Sequence, residues 1–189
     1  GAIVDKSYIT HVIRLLKDSE MSSKYPVYAI IAPSIAAQFK YATIGQVITA
    51  IKHLGFRSAI EAALGADMVS YAESDELVEK GFLTSSCCPT FVSLIEKYYP
   101  KLVGNISHNP SPMAALAKWI KTHDPSAKCV FIGPCVSKKM EAQREGVKDY
   151  VDYVLTFEEL NAMFAAKEVN VGEMPDTGFK SRASGDGVG

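Results

Sequence analysis

Short apolar runs alternate with helix-period segments along this chain, and that alternation constrains the fold more than any other feature. Residues 27–32, 82–86, 128–132 and 151–155 each read as a short strand, the first ended by Pro33. Between them lie segments with apolar side chains at helical spacing. Residues 5–19 carry Ile9, Val12, Ile13 and Leu16, with a polar Asp18-Ser19-Glu20 stretch closing the segment. Residues 44–54 stop at Gly55 and residues 66–80 at Gly81, both natural positions for a helix C-terminus. Pro89 can open a helix over 89–98 that Pro100 keeps short. Residues 111–121 place Met113, Leu116, Ala117 and Ile120 on one side, and Thr156 with Glu159 forms a capping box for 157–166.

Strands alternating with helices predict an α/β architecture with a mostly parallel sheet flanked by helices. In such sheets sites form outside the carboxyl ends of the strands. Pro33-Ser34, Cys87-Cys88 and Pro134-Cys135 all follow apolar runs, which predicts that they converge on one rim. A short apolar piece near 56–60 completes the pattern, and residues 171–189, rich in Gly, Asp and Ser, hold no periodic segment.

The chain has 189 residues, enough for one substantial domain or two small lobes, and 48% hydrophobic content is ordinary for a packed protein. Twenty basic residues face twenty-one acidic ones without a strong charge block, which gives no electrostatic case for nucleic acid or a membrane surface. No stretch approaches the roughly 20 apolar residues that span a bilayer. Small molecules and proteins are the partners this leaves. Four cysteines, two of them adjacent, make a poor disulfide framework for this length, so a reducing, cytoplasmic setting is expected.

The cysteines carry the chemistry. Successive side chains of an extended backbone alternate faces, so Cys87 and Cys88 point apart and one can bind a metal while its neighbour faces something else. Pro89 behind them places both thiols near the unpaired N–H groups of a helix start, which favour thiolate. Packing as small hydrophobes is the alternative for any free cysteine, and Cys129, inside an apolar run, takes that reading.

Thr84-Ser85-Ser86-Cys87-Cys88-Pro89-Thr90-Phe91 and Pro134-Cys135-Val136-Ser137-Lys138-Lys139-Met140-Glu141 resemble the first two active-site signatures of the iron-only ([FeFe]) hydrogenase large subunit. Tyr98-Tyr99-Pro100, Ser111-Pro112 and Asp152-Tyr153-Val154-Leu155-Thr156 agree with the same family, over residues 28–164. The resemblance implies part of a two-lobed catalytic domain that reversibly reduces protons to dihydrogen. Its cofactor would be a [4Fe-4S] cubane joined through a cysteine sulfur to a two-iron centre with carbon monoxide, cyanide and dithiolate ligands.

By the family's pattern Cys88 and Cys135 ligate the cubane, Cys87 faces the dithiolate bridgehead as a proton-transfer thiol, and Lys138 hydrogen-bonds an iron-bound cyanide. Ser34, after Pro33, would contact the second cyanide, and Pro134 flanks the cluster ligand. Glu73 and Glu76, one helical turn apart, with Ser107 between them, fall where family members place a proton route. Glu141 is placed to orient Lys138 or a neighbouring helix, and Lys139 is assigned to solvent.

A cubane needs four thiolates, and the third signature of the family, a Cys-x-x-x-Cys motif, is absent from these residues. The resemblance therefore implies a fragment whose parent is the enzyme, the fragment alone carrying no two-iron centre. Expected parent partners are ferredoxin or an adjacent iron-sulfur domain, and maturation proteins, in an anaerobe. The expected organisation is a helix and connection over 1–26, a hydrogenase-like domain over 27–170 and an irregular tail over 171–189. Gly1-Ala2-Ile3 resembles the residues that follow the last cysteine motif of a ferredoxin domain.

Gly133, Met113 and Phe91 depart from the commonest pattern, which has Met, an amide side chain and Trp there. The departures point to a less-studied branch, slower, biased in direction or sensory. Two other readings stand beside the enzyme: a sensor or iron-sulfur assembly protein of the same ancestry, and a thiol redox protein using the vicinal pair. Adjacent-residue disulfides are strained, which ranks the last one lowest. Retention of Cys87 and Lys138 favours the enzyme, because a simple cluster holder needs neither.

Overall fold

The computed structural model of the chain describes residues 5–177, so Gly1-Ala2-Ile3 and most of the glycine-rich end lie outside the described residues. Four parallel strands form one sheet in the order β2-β1-β3-β4: β1 (Val27–Ile31), β2 (Ser58–Glu61), β3 (Lys128–Gly133) and β4 (Tyr153–Thr156). β1 and β3 are central and nearly free of polar side chains. A strand covered by helices on both faces has no solvent side to alternate toward, hence the continuous runs Val27-Tyr28-Ala29-Ile30-Ile31 and Cys129-Val130-Phe131-Ile132.

Helices cover the sheet. α1 (Ile9–Ser22) buries Val12 and Leu16 in the same core as the strands, and α3 (Ile44–His53) buries Val47, Ile48, Ala50 and Ile51. α3 opens on a capping box between Thr43 and Gln46 and ends before Gly55, whose φ of 110° suits a residue without Cβ. α6 (Pro112–His123) buries Met113, Leu116, Ala117 and Ile120, the stripe expected from its spacing. α8 (Phe157–Ala166) starts at the expected Thr156–Glu159 capping box.

α4 (Ala63–Lys80) packs against α6 at Gly65, where an added Cβ would lie 2.1 Å from the carbonyl oxygen of Pro112. It ends at Gly81, in left-handed backbone with φ 73°. The remaining helices frame the site: α2 (Ile35–Gln38) after β1, α5 (Pro89–Tyr98) and α7 (Ser137–Glu141) after β3. Pro100 ends α5 but leads directly into a 3-10 turn, Pro100–Asn105.

Two expectations are corrected. Residues 82–86 are no strand of the sheet and make only an isolated bridge, Thr84 with Ile106. Their backbone is satisfied elsewhere: Thr84 N–H donates to the Asn105 carbonyl, Ser107 N–H to the Thr84 carbonyl, and the Asn105 amide to the Phe82 carbonyl. The fourth strand is instead the apolar piece near 56–60, realised as β2. The first helix also runs through Asp18-Ser19-Glu20 and stops only at Ser23, because the Ser19 and Ser22 hydroxyls cap locally by donating to the Tyr25 and Asp18 carbonyls.

Candidate active site

Because β1 and β3 are adjacent and parallel, their carboxyl ends deliver Pro33 and Cys135 to the same edge of the sheet. The Cys87-Cys88 pair arrives there from outside the sheet, carried by the 82–88 loop. The convergence is therefore real for Cys87, but a loop and not a strand end produces it. A cavity of ≈ 270 Å³ opens at this rim, lined by Ala32, Pro33, Met113 and Phe131 with Cys87 and Lys138. Its walls are mostly apolar, with one thiol and one ammonium as the polar members.

Cys88 is the N-cap residue of α5 and Pro89 its first helical residue, so the local sequence alone fixes how this thiol leaves the backbone. Both Cys87 and Cys88 are exposed free thiols. Cys135 is half-buried, its Sγ 2.8 Å from Ser137 Oγ. The packing of α5 on α7 brings the two signatures side by side. One bond locks them: Lys138 Nζ donates to the Cys87 carbonyl at 2.7 Å.

Behind Lys138 stands Glu141, 6% exposed, whose Oε2 pairs with Nζ at 2.6 Å while its Oε1 accepts from the Ser111 hydroxyl. Ser111 in turn caps α6 by accepting from Ala114 N–H. Glu141 thus ties the lysine to the helix that contributes Met113 to the cavity. Ser111 was not among the expected site residues, although a serine before Pro112 is a legible N-cap signal.

Lys139 is not in solvent. It is 5% exposed and its ammonium lies 2.5 Å from Asp5, 2.9 Å from Glu159 and 2.9 Å from the Lys6 carbonyl. Consecutive residues of a helical turn project about 100° apart, so Lys138 faces the cavity and Lys139 the sheet's far helices. Burial works against its charge, but the hydrogen bonds its ammonium donates to Asp5 and Glu159 outweigh that and hold its pKa above the ordinary lysine value. Glu159 is likewise held below the usual carboxylate range: burial opposes this, and the Thr156 N–H, Ser7 and Lys139 overcome it.

A second cluster gathers on α4. Glu76 accepts from Ser107 Oγ at 3.1 Å, from the Asn109 amide at 2.9 Å and from the His108 N–H at 3.2 Å, and pairs with Lys80 at 2.7 Å. The Lys80 hydrogen bond above all, with those from His108 and Ser107, lowers its pKa to about 2 against the opposing effect of burial. Ser107 is buried and bonded to Glu76. Glu73 Oε1, one turn earlier, is buried without a hydrogen-bond partner. The structure therefore joins Ser107 to one glutamate rather than to both. His108 and Asn109 were not foreseen, since nothing in their spacing marks them as neighbours of α4.

Ser34 and Pro134 are exposed and outside the cavity lining, Ser34 making no side-chain cap to the short α2. Cys129 is wholly buried in β3, as its packing reading requires, and burial pushes its thiol up to about 12. At Gly133 an added Cβ would lie 2.6 Å from the Phe131 ring, so the ring occupies the room a larger residue would need. No helix among the described residues is long and apolar enough to cross a membrane.

Comparison with known proteins shows the family and the fold. The family described as iron only hydrogenase large subunit, C-terminal domain, matches residues 25–189. Iron hydrogenase 1 of Clostridium pasteurianum is 32% identical over 94% of the chain, and the periplasmic [Fe] hydrogenase large subunit of Nitratidesulfovibrio vulgaris is 28% identical over 97%. The chain spans 35% and 49% of their respective lengths. A cytosolic Fe-S cluster assembly factor, NAR1 of Kluyveromyces lactis, is 38% identical over 84 residues, 44% of the chain and 18% of the relative. An apo [FeFe]-hydrogenase from Chlamydomonas reinhardtii shares the fold with a TM-score of 0.80 at 23% identity, covering 93% of the chain and 52% of that structure. With the family matched over nearly the whole sequence and the fold shared, this chain belongs to the family formed by the C-terminal domain of iron-only hydrogenase large subunits.

Proposed function

We propose that this chain supplies the Cys88 and Cys135 side of a hydrogenase catalytic site, acting in a longer protein that interconverts protons and dihydrogen. The observation that carries the reading is the Lys138 ammonium, bonded to the Cys87 carbonyl and backed by Glu141 at the edge of the apolar cavity. An assembly factor or sensor needs thiolates to hold a cluster. It has no evident use for a proton-active thiol beside an oriented cation.

The donor set fits half of a cubane's requirement. Cys88 and Cys135 are free, accessible and soft, on adjacent elements, whereas Cys129 is sealed in the sheet with its thiol strongly disfavoured from ionising. In the loaded protein the [4Fe-4S] cluster with its two-iron centre supplies the electron and hydride chemistry. The residues of this chain bind and orient around it. Lys138 presents a compact positive charge and three donors to an anionic ligand, and Glu141 keeps it aimed. Cys87, in the cavity wall, is a thiol that can take or give a proton without holding a permanent charge.

Glu73, Ser107 and Glu76 then carry protons between that thiol and the surface. The buried Oε1 of Glu73 has no hydrogen-bond partner among the described residues and is open to a donor on that route, since an unpartnered buried oxygen is costly. Glu76 stands at the outer end, beside the exposed His108 ring. Electrons would come from ferredoxin or an adjacent iron-sulfur domain, and maturation proteins would install the two-iron centre, in the reducing interior of an anaerobe where four free cysteines persist.

The similarity to NAR1 supports a second reading, iron-sulfur assembly without catalysis. Co-expression of the longer protein with hydrogenase maturation enzymes separates the two. We expect hydrogen evolution from the wild type and a loss of at least about a hundredfold on Cys87→Ala. A matured protein that holds a cluster but evolves no hydrogen would establish the assembly or sensor reading instead.

A further inference from the structure

His108 is the one titratable side chain of the Glu76 cluster that faces water, 80% exposed, with Nδ1 3.0 Å from Glu76 Oε1. The same oxygen is held by Lys80, whose ammonium lies 3.4 Å from His108 Nδ1 and has a second acceptor, the Gly104 carbonyl, at 3.2 Å. Glu76 and Lys80, both on α4, are the charged groups paired with the ring among the described residues.

Two states of the ring make different demands on that geometry. A neutral imidazole with a bare Nδ1 accepts from Lys80 and leaves Oε1 to the lysine. An imidazolium cannot share one oxygen with an ammonium 3.4 Å away without like-charge repulsion, so its Nδ1–H takes Oε1 and the lysine falls back on Gly104. Oε2, held by Ser107 and Asn109, keeps the carboxylate in place through the exchange.

We propose that His108 is the proton-entry residue of this site, exchanging with Lys80 for Oε1 of Glu76. The inference rests on the proton route proposed above and names its solvent end. The step is a proton transfer only: the Nδ1–H bond of the imidazolium breaks, an O–H bond forms on Oε1, and the ring is left neutral with its remaining proton on Nε2. A buffer acid then reprotonates Nδ1, and no electron moves. Lys80 acts as a latch. While it holds Oε1 the carboxylate stays ionised, and its departure raises the proton affinity of Glu76.

Nitrogen-15 NMR of the imidazole in the 189-residue chain tests the coupling without any cofactor. Glu76→Gln and Lys80→Met should each move the His108 ring-nitrogen shifts away from their wild-type values at one fixed pH, both changes shrinking at high salt. Identical ring shifts in the three proteins would overturn the proposal. In the longer, cofactor-loaded protein, His108→Gln should lose the part of turnover that depends on buffer acid, and free imidazole should restore it. If the wild type evolves hydrogen and His108→Gln matches it in every buffer, this inference fails while the proposed function stands. If the wild type evolves none, the proposed function fails and the inference falls with it.

Discussion

Lys138 Nζ donates to the carbonyl of Cys87 at 2.7 Å, a bond across 51 residues of sequence that fastens one cysteine signature to the other. The lysine is held from behind by Glu141, which also accepts from Ser111. A single ammonium thereby spans three elements: the 82–88 loop, α7 and the start of α6.

That arrangement predicts a non-additive mutant cycle. Lys138→Met leaves Glu141 charged in a site only 6% exposed, and we expect a loss of roughly 3 kcal/mol. Adding Glu141→Leu removes the stranded charge, so the double variant should recover much of that stability. Urea denaturation of the four proteins measures it. A loss in the double variant equal to the sum of the two single losses would mean that the pair contributes no coupling.

The buried Lys139–Glu159 pair sets pH limits on stability. Lys139 has its pKa raised by folding, so its contribution is complete below its ordinary 10.5 and disappears as pH climbs through the higher folded value. Glu159, with its pKa lowered, contributes above 4.5 and fades as pH drops through its folded value. Lys139→Ala should cost about 3–5 kcal/mol at neutral pH and flatten the alkaline side of the profile of urea midpoint against pH.

Glu76 behaves as a fixed anion in the resting protein. Its folded pKa of about 2 lies below the ordinary 4.5, so the stability it contributes is present above 4.5 and is lost as pH falls from there toward 2. In Glu76→Gln the acid limb of the stability profile should be shallower over that window. An unchanged limb would show that Lys80 and Ser107 do not hold the carboxylate in solution.

Gly65 and Gly133 are places where two parts of the chain touch. Gly65→Ala puts a methyl 2.1 Å from the Pro112 carbonyl, backbone that cannot yield without separating α4 from α6, and a loss of about 3 kcal/mol is expected. Gly133→Ala meets the Phe131 ring at 2.6 Å. A ring can turn where a carbonyl cannot, so the second loss should be the smaller in thermal melts, and Phe131→Leu should reduce it further.

Thiol accessibility gives a direct check of the cysteine assignments. Brief alkylation of the native chain should label Cys87 and Cys88, reach Cys135 more slowly and leave Cys129 untouched until denaturant is added. Peptide mass spectrometry reads the order. Early labelling of Cys129 would contradict its burial in β3.

Much of the fold was legible because its signals are local. Apolar runs without alternation marked β1 and β3, and the Thr156–Glu159 capping box and the Met113 stripe marked α8 and α6. The 82–86 run misled because apolar composition measures the wish to be buried, not the partner. Its hydrogen bonds go to residues 105–109, which no periodicity could announce. Lys139 misled for a related reason: a lysine defaults to solvent unless a carboxylate awaits it, and Asp5 lies 134 positions away.

By itself the sequence determined the helices with clear spacing or caps, the central strands and the thiol-proline pair at a helix start, since those signals act within a few residues. Only the tertiary structure decided that Cys87 meets Lys138, that Glu76 rather than Glu73 bonds Ser107, and that His108 stands at its mouth. Those outcomes depend on how helices seat on a sheet, where burial and long-range hydrogen bonds outweigh anything a neighbour along the chain can impose.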